Sequence, residues 1–403
     1  MDKLNKFVAT LLAVLMALNS WGIGVIQAKE DAERSLTGPD LKIDGVSAVL
    51  MEPSSGEIIF SKNPDRKLPP ASVTKLMVML LTLEALDKGQ VKLTDVVSAS
   101  PEACRMGGSQ IWLEPGEEMT VADLLKAVCI VSANDASYAL AEHLAGSEAN
   151  FIALMNKRAA ELGLKNTHFV NTTGLEPDAV GEGNLTSAAD MAILAREVIK
   201  YPLVFKWTGV WIDSLRDGKS FLRNTNKLVR FYRGCDGLKT GYTDKAGYCL
   251  VATAKRDGVR MIAVVMKSST GDTRSRDITT MLNYGFSQYK AFQVCQAGDK
   301  VGKVKVFRGK KTTVDAVTPR ELTAILKRDQ TGEVIKTVKL NRMASAPVKK
   351  GQVVGKVELT YAGKPCGQME LVAAEEVGRA GFFELWGQFI QQAIRAVVGI
   401  VNN

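Results

Sequence analysis

The feature that most constrains this chain is an apolar run without a polar side, bounded by two prolines and a glycine. Pro69 and Pro70 are tolerated before or in the first turn of a helix, and Gly89 supplies a stop signal. The residues between them predict one helix of about four to five turns. After Lys75 the run is apolar on nearly every face as far as Glu84, which is typical of a helix buried on all sides. The sequence therefore predicts a central helix around which a domain packs.

Ser72 and Lys75 lie three residues apart at the start of this helix. That spacing places two side chains on one helical face, within reach of each other. A serine hydroxyl becomes a good nucleophile when a base removes its proton, and a lysine acts as that base when burial or a nearby cation lowers its pKa. The pair predicts nucleophilic catalysis. The structural alternative is that Ser72 only caps the helix.

The first residues carry a targeting pattern. Lys3 and Lys6 precede an apolar run from Phe7 to Ile26, and Gln27-Ala28-Lys29 follows. A basic start, an apolar stretch and a small residue at a cleavage point predict an export signal over residues 1–28. The apolar stretch is also long enough for an uncleaved membrane anchor. Under either interpretation the rest of the chain works outside the cytoplasm.

Composition argues against several classes of function. The net charge of +9 favours anionic surfaces, but no Lys/Arg cluster is interleaved with aromatic residues, so nucleic acid is not an expected partner. The six cysteines contain no Cys-x-x-Cys pair and predict mostly buried thiols, with a Cys235–Cys249 bridge as the weaker alternative. His143 and His168 are the two histidines, and neither lies in a His-Glu-x-x-His context. Neither a metal site nor a cofactor is expected.

The order of predicted elements indicates an α/β catalytic domain over residues 40–290. A hairpin is predicted between Ile43 and Asn63, helical patterns follow the central helix, and strands return later. The further helices are predicted at Thr120–Ile130, Asp135–Leu144, Ala149–Leu162, Ser187–Ile199 and Arg274–Phe286, and the later strands at Ser220–Val229, Gly247–Ala254 and Val259–Met266. A sheet that resumes after a cluster of helices predicts an all-helical insertion. Gly107-Gly108-Ser109 fits no phosphate-binding loop and is predicted as a plain surface loop.

Two further segments follow this domain. Residues 293–378 show short alternating stretches such as Val304-Lys305-Val306, separated by glycine-bearing turns, which predicts a small all-β domain. From Phe382 to Val401 the apolar residues form one helical stripe opposite a polar side. With a Trp and two Phe at its start and few charges, this amphipathic helix within residues 379–403 is predicted to lie in a membrane surface. The alternative is a helix that packs on the β domain or pairs with itself.

Three motifs in order resemble a known family. Ser72-Val73-Thr74-Lys75, Ser132-Ala133-Asn134 and Lys239-Thr240-Gly241 are similar to the S-x-x-K, S-x-N and K-T-G motifs of penicillin-binding proteins and serine β-lactamases. The stretch from Asp236 to Tyr248 resembles the low-molecular-mass D-alanyl-D-alanine carboxypeptidases in particular. The resemblance covers the whole chain. It implies a β-lactamase/transpeptidase-like α/β fold, with helices flanking an antiparallel sheet, and a serine-type carboxypeptidase.

The resemblance implies a role for each matching residue. Ser72 is expected to attack the carbonyl of the penultimate D-alanine in a peptidoglycan stem peptide, forming an acyl-enzyme and freeing the terminal D-alanine. Lys75 is expected to take the serine proton, with Ser132 and Lys239 near enough to relay it or to keep Lys75 neutral. Substrate binding is assigned to Asn134, Lys239, Thr240, Gly241, Tyr242 and Arg274. The backbone amides of Ser72 and Tyr242 are expected to hold the oxyanion, and β-lactam antibiotics to acylate Ser72.

The carboxylate clamp departs from the pattern of some relatives. They place an arginine upstream of K-T-G, whereas Asn224-Thr225-Asn226-Lys227 has none. A second arginine of the family falls near Arg274 or Arg276, and the alignment favours Arg274.

Three alternatives share the fold or the substrate. A serine β-lactamase must deacylate penicillin quickly, and no Glu-x-x-Leu-Asn lies between Asn134 and Lys239 to activate the water as in the class A design. A non-catalytic wall-binding protein does not require the intact Ser72 and Lys75. An endopeptidase or transpeptidase acts on the same substrate class and differs in its products.

Overall fold

The computed structural model describes residues 36–176, 183–330 and 332–387. The predicted export signal over residues 1–28 lies outside these ranges. The chain divides into two compact units, one running to Arg256 and including Arg260–Phe286, the other comprising Asp257–Val259 and the chain from Ser287 onward.

The first unit contains one large sheet and two small hairpins. Its strands are β1 Leu36–Thr37, β2 Ser47–Glu52, β3 Glu57–Lys62, β4 Val96–Ser98, β5 Glu118–Thr120, β6 Ile212–Leu215, β7 Ser220–Arg223, β8 Cys235–Thr243, β9 Gly247–Arg256 and β10 Val259–Ser268. The large sheet has the order β1-β3-β2-β10-β9-β8, and the pairs β1–β3, β3–β2, β2–β10 and β9–β8 are antiparallel. β10 returns to β2 with Val264 opposite Val49, so the predicted return to the first hairpin is confirmed.

Helices cover both faces of this sheet. They are α1 Lys75–Asp87, α2 Pro101–Cys104, α3 Val121–Ile130, α4 Asn134–Ala145, α5 Glu148–Glu161, α6 Ala188–Val198, α7 Phe205–Thr208, α8 Leu228–Phe231 and α9 Gly271–Gln288, with 3₁₀ turns at Ala71–Thr74 and Pro202–Val204. Val49 and Met51 of β2 belong to the core that includes α1, whereas Leu50 between them faces Gly285 of α9. Successive side chains of a strand point to opposite faces of the sheet, so the apolar run of β2 packs against helices on both faces.

The central helix is buried as its sequence predicts. α1 contacts α3, α4, α5 and α6, and Leu76 to Leu80 are fully buried. Because transfer of apolar surface out of water is favourable, a helix that is apolar on every side is most stable when every side is covered. The four helices of the insertion supply that cover.

One predicted strand is wrong in its second half. β7 ends at Arg223, and it pairs with β6 in a separate hairpin. Side chains still alternate between exposed and buried from Phe221 to Leu228, so the sequence keeps a period of two beyond the strand. The main-chain amide of Asn224 still donates to the Trp211 carbonyl, but the next amide, of Thr225, donates to the Ile130 carbonyl of α3 and leaves the ladder. The Asn224 side chain fixes this turn by donating to the carbonyls of Thr208 and Val210.

The six cysteines are free thiols. Five of them are buried, as the sequence predicts, and Cys104 is half-buried. The alternative Cys235–Cys249 bridge is wrong because the β8–β9 register places Cys235 opposite Ala254 and Cys249 opposite Gly241, at opposite ends of the pair.

The second unit is an all-β domain. Its strands are β11 Tyr289–Cys295, β12 Lys300–Phe307, β13 Thr313–Val317, β14 Leu322–Lys327, β15 Ile335–Leu340, β16 Met343–Ser345, β17 Val353–Tyr361 and β18 Lys364–Ala373. Six of them form a sheet in the order β15-β17-β18-β13-β12-β16, and β11 pairs with β14. Alternate residues such as Val304 and Val306 of β12 point into one apolar core, which is how period-two patterns bury a sheet face.

The chain after this domain begins a helix at residues 382–387. Phe382, Phe383 and Trp386 of this turn are all exposed, Phe383 by 86%. The rest of the predicted amphipathic helix lies outside the described residues. Within the described ranges, no helix combines the length and the apolar character that crossing a bilayer requires.

Candidate active site

Ser72 and Lys75 are brought together by the turn that leads into α1. The side-chain nitrogen Nζ of Lys75 lies 3.0 Å from Ser72 Oγ and donates a hydrogen bond to the Thr173 carbonyl at 2.7 Å. Ser72 makes no side-chain capping bond, so the capping alternative is wrong. Lys75 is fully buried, and burial holds its pKa well below the ordinary value, with the positive charge of Lys239 acting in the same direction and Asp135 opposing it. The arrangement places an amine that favours its neutral form beside a hydroxyl, which is the geometry that nucleophilic catalysis requires.

The K-T-G motif lies on β8, the last strand of the large sheet. One edge of β8 pairs with β9, and near Gly241 the other side meets the 3₁₀ turn that carries Ser72. A Cβ on Gly241 would lie 2.7 Å from the carbonyl oxygen of Pro70, which is closer than side chains approach. The glycine therefore lets the strand run directly along the turn that carries Ser72.

Lys239 of this motif is a second buried lysine. Its Nζ donates to the carbonyl of Thr240 at 3.0 Å. Burial lowers its pKa to about 7, the positive charge of Arg274 acts in the same direction, and the buried thiol of Cys129 opposes both. A cation that titrates near neutrality is suited to bind a carboxylate, which restores its charge on binding.

The neighbouring Thr240 is paired with a residue that sequence reasoning missed. The hydroxyls of Thr240 and Thr225 lie 2.7 Å apart. Thr225 belongs to the segment identified from the sequence only as lacking an arginine. A lone threonine carries no sequence signal for such a role, because the turn after β7 is what brings it to β8.

Arg274 lies on α9 close to the same strands. It is buried, its Nη1 donates to the carbonyl of Cys249 at 3.3 Å, and its Nε has no hydrogen-bond partner among the described residues. Arg276 is exposed. The structure therefore places Arg274, and not Arg276, beside Lys239 and β9.

The middle motif contributes two unsatisfied polar groups. Ser132 has a left-handed backbone with φ of 67°, and its buried Oγ has no hydrogen-bond partner within the described part of the chain. Asn134 begins α4, and its buried Oδ1 is likewise unpartnered there. Buried polar atoms are nearly always satisfied, so Ser132, Asn134 and Arg274 present groups that a ligand is able to satisfy.

The glycine-rich loop of residues 107–109 is exposed, as the sequence predicts, and it also contacts the middle motif. Asn134 Nδ2 donates to the Gly107 carbonyl at 2.6 Å, and the Asn134 amide donates to the Ser109 carbonyl at 2.7 Å. These bonds turn the Oδ1 of Asn134 away from the loop. Main-chain carbonyls carry no residue signature, so the role of this loop is visible only in the fold.

The described residues contain no group of three or more His, Cys, Asp or Glu side chains placed to hold a metal ion. The site consists instead of a serine, cationic side chains, hydroxyls and amides. Such a set is able to perform acyl transfer through the serine and to bind an anionic substrate.

The fold and the three motifs define the class of penicillin-binding and transpeptidase-like proteins. The family model described as D-alanyl-D-alanine carboxypeptidase matches residues 32–270. A second model, described as the C-terminal domain of penicillin-binding protein 5, matches residues 289–379. The chain therefore belongs to the D-alanyl-D-alanine carboxypeptidase family, and it carries the accessory β domain of penicillin-binding protein 5.

Individual relatives agree with this assignment over most of their length. The D-alanyl-D-alanine carboxypeptidase DacF of Bacillus subtilis is 44% identical over 383 residues, covering 94% of this chain and 96% of the relative. The crystal structure of penicillin-binding protein 5 from Haemophilus influenzae is 33% identical with a TM-score of 0.62, covering 84% of this chain and 98% of that chain. Penicillin-binding protein D2 of Listeria monocytogenes, solved with ampicillin bound, is 32% identical with a TM-score of 0.57, covering 62% and 100%. The chain is a D-alanyl-D-alanine carboxypeptidase.

Proposed function

We propose that Ser72 is the nucleophile that removes the terminal D-alanine from a peptidoglycan stem pentapeptide. Ser72 Oγ attacks the carbonyl carbon of the penultimate D-alanine, the amide bond breaks, and an ester joins the shortened peptide to Ser72. Water then hydrolyses this ester and regenerates the hydroxyl. The observation that carries the proposal is the 3.0 Å separation between Ser72 Oγ and Nζ of the fully buried Lys75.

Lys75 acts as the base of both steps. Burial and the nearby charge of Lys239 favour its neutral amine, which accepts the proton of Ser72 as the new bond forms. The proton must next reach the nitrogen of the departing D-alanine. The unpartnered Ser132 hydroxyl supports a relay because a hydroxyl accepts one proton while it donates another.

The substrate carboxylate is held by the cationic end of the site. Lys239 and Arg274 supply the charge, and the Thr240 hydroxyl supplies a donor or acceptor on the strand between the nucleophile and β9. Asn134 Oδ1 is available to accept the amide N–H of the bound peptide. The amides of Ser72 and Tyr242 stabilise the tetrahedral oxyanion, which Gly241 makes accessible by its close approach to the turn.

β-Lactam antibiotics acylate the same serine in this proposal. A β-lactam presents a strained amide and a carboxylate, so the nucleophile and the cationic end bind it as they bind the peptide. Support comes from the structure of the Listeria relative described as the ampicillin-bound form.

The proposal also places the protein at the outer face of the cytoplasmic membrane, after export by residues 1–28. The exposed aromatic residues Phe382, Phe383 and Trp386 support a terminal helix that lies in the membrane surface. The positive net charge supports contact with anionic headgroups.

Product analysis tests the reaction. Incubation with a stem pentapeptide is expected to yield the tetrapeptide and free D-alanine, and mass spectrometry after incubation with penicillin is expected to find the adduct on Ser72. Ser72→Ala is expected to abolish the adduct while leaving the thermal midpoint unchanged, because the side chain caps nothing. An adduct on Ser72→Ala contradicts the proposed nucleophile. Rapid turnover of a chromogenic cephalosporin favours a β-lactamase, and cross-linked products favour a transpeptidase.

A further inference from the structure

The main-chain carbonyl of Thr173 touches both reacting side chains. It accepts a hydrogen bond from Lys75 Nζ at 2.7 Å and lies 3.5 Å from Ser72 Oγ. Thr173 is itself buried. A carbonyl at this position is an acceptor whether Lys75 carries two protons or three.

This acceptor affects how a neutral Lys75 amine is oriented towards Ser72. A neutral lysine has two N–H groups and one lone pair, and it accepts the serine proton only through the lone pair. An N–H group fixed on the Thr173 carbonyl limits rotation about the terminal C–N bond. The lone pair is then directed towards Ser72 Oγ, 3.0 Å away, in a larger fraction of the molecules.

The carbonyl is held by the side chain of Asn171. Asn171 Oδ1 accepts from the amides of Thr173 at 3.2 Å and Gly174 at 2.7 Å, and its Nδ2 donates to the Leu175 carbonyl at 2.9 Å. This one side chain therefore closes a compact turn over residues 171–175. The turn has no titratable side chain of its own.

Asn184 ties this turn to the segment that bears the nucleophile. Its Nδ2 donates to Asn171 Oδ1 at 3.2 Å and to Thr74 Oγ1 at 2.9 Å, and Thr74 stands between Ser72 and Lys75 in the sequence. Its Oδ1 accepts from the amides of Val170 and Asn171. Asn184 is 4% exposed, so these bonds are made away from water.

Close backbone packing fixes the distance between the turn of residues 171–175 and the segment that carries Ser72. Gly174 has a φ of 79°, and a Cβ there would lie 1.9 Å from the carbonyl oxygen of Ala71. No side chain fits that gap, so the turn rests directly on the residue before Ser72. Glu148 adds a distal support, because its Oε1 accepts from the amide and the hydroxyl of Thr172.

We propose that Asn171 and Asn184 are positioning residues for the general base, which they orient by holding the Thr173 carbonyl against Lys75 Nζ. This inference rests on the proposed roles of Ser72 and Lys75, and it adds the residues that orient the Lys75 amine. Neither asparagine is proposed to touch the substrate.

The test is the pH profile of acylation by a labelled penicillin. The charged groups that face Lys75 are Lys239 on β8 and Asp135 on α4, and both are unchanged in the variants. Asn171→Ala releases the carbonyl, so the rate constant at the optimum is expected to fall at least about tenfold. The acid limb is the fall in rate at low pH, where Lys75 becomes protonated. Because the ammonium form of Lys75 loses an acceptor, its pKa is expected to fall and the acid limb to move to lower pH.

Two further variants complete the test. Asn171→Asp keeps the Oδ1 acceptor and adds a negative charge, so the acid limb is expected to move to higher pH. Asn156→Ala is the matched control, because Asn156 pins the main chain of Phe169 through two hydrogen bonds, outside the turn. The control is expected to lower the thermal midpoint without moving the acid limb.

The outcomes distinguish the positioning role of the asparagines from the nucleophilic role of Ser72. If the Asn171 variants acylate with the rate and pH profile of Asn156→Ala, the asparagines are only structural and the inference is overturned, while an adduct on Ser72 leaves the proposed function intact. If the unsubstituted protein forms no adduct, the proposed function itself fails. If Asn171→Ala does not fold, Asn184→Ala takes its place, and a rate constant and acid limb equal to those of Asn156→Ala overturn the inference.

Discussion

Gly241 and Ser72 approach so closely that a Cβ on the glycine would lie 3.1 Å from the backbone nitrogen of the serine. These residues are distant in the sequence, one on β8 and the other in the 3₁₀ turn before α1. Their contact places β8 directly against the turn, and in the proposed function the substrate lies along β8 with its carbonyl carbon at Ser72. The site therefore depends on the absence of a side chain as much as on the side chains present.

Gly241→Ala is expected to reduce acylation by penicillin about a hundredfold or more. The added methyl group forces the strand away from the turn, so the two amides proposed to hold the oxyanion no longer converge. The measurement is the second-order rate constant of adduct formation, followed by mass spectrometry of the intact protein.

Gly271→Ala provides the matched control for that variant. A Cβ at Gly271 would meet Tyr248 at an ordinary 3.5 Å, and the residue begins α9. This substitution is expected to leave the rate constant within about twofold, given the small effects usual for surface changes. Equal rates in Gly241→Ala and Gly271→Ala would contradict the close-approach argument.

Ser132→Ala is expected to lower activity and raise stability together. The hydroxyl is buried without a partner among the described residues, so its removal abolishes a desolvation cost of about 1 kcal/mol. Loss of the proton relay is expected to slow acylation about a hundredfold. Urea unfolding and adduct kinetics measure the two effects, and a variant that is both less stable and fully active would refute the assignment.

The value of kcat/KM for a D-alanyl-D-alanine peptide is expected to fall above about pH 7. The pKa of Lys239 is lowered to about 7 in the free protein, so the lysine is charged below that pH and neutral above it. A neutral lysine attracts a carboxylate less, and each further pH unit is expected to reduce kcat/KM about tenfold. The measurement is the pH profile from 5 to 9, which are about two units on either side of that pKa.

A change of substrate controls this pH prediction. A peptide that ends in a carboxamide lacks the charge that Lys239 is proposed to bind. Its much slower cleavage is expected to show no fall centred on pH 7. The same fall with both peptides would assign the titration to a group other than the carboxylate site.

Removal of residues 382–403 is expected to release the mature protein from membranes. Phe382, Phe383 and Trp386 are exposed at the start of this segment, and their transfer into the interface contributes most of the expected binding. Cosedimentation with anionic lipid vesicles measures the effect. The Phe382→Ser, Trp386→Ser double variant of the full chain is expected to bind weakly, and continued sedimentation of the truncated protein would indicate an N-terminal anchor.

Local sequence patterns predicted the elements that depend on local physics. The apolar run after Lys75 predicted a buried helix because a helix without a polar face has no stable exposed side. The alternation in β12 and β17 predicted an all-β domain in the same way. The pattern failed at Ser220–Val229, where the alternation of burial continued but the main-chain amide of Thr225 left the ladder and bound the Ile130 carbonyl. A period of two in the sequence predicts which side chains are buried, but it does not predict which partners the main-chain groups bond to.

The sequence by itself determined that Ser72 and Lys75 face each other, because residues three apart share one face in the 3₁₀ turn observed here as in the predicted α-helix. The alignment already favoured Arg274 over Arg276, and the structure places it beside Lys239. Tertiary structure alone decided that Thr225 meets Thr240 and that the Thr173 carbonyl accepts from Lys75. These contacts join segments that are far apart in the chain, and one of them is made by a main-chain atom that every residue shares. Only the packing of the helical insertion against the sheet brings them to the same few ångströms.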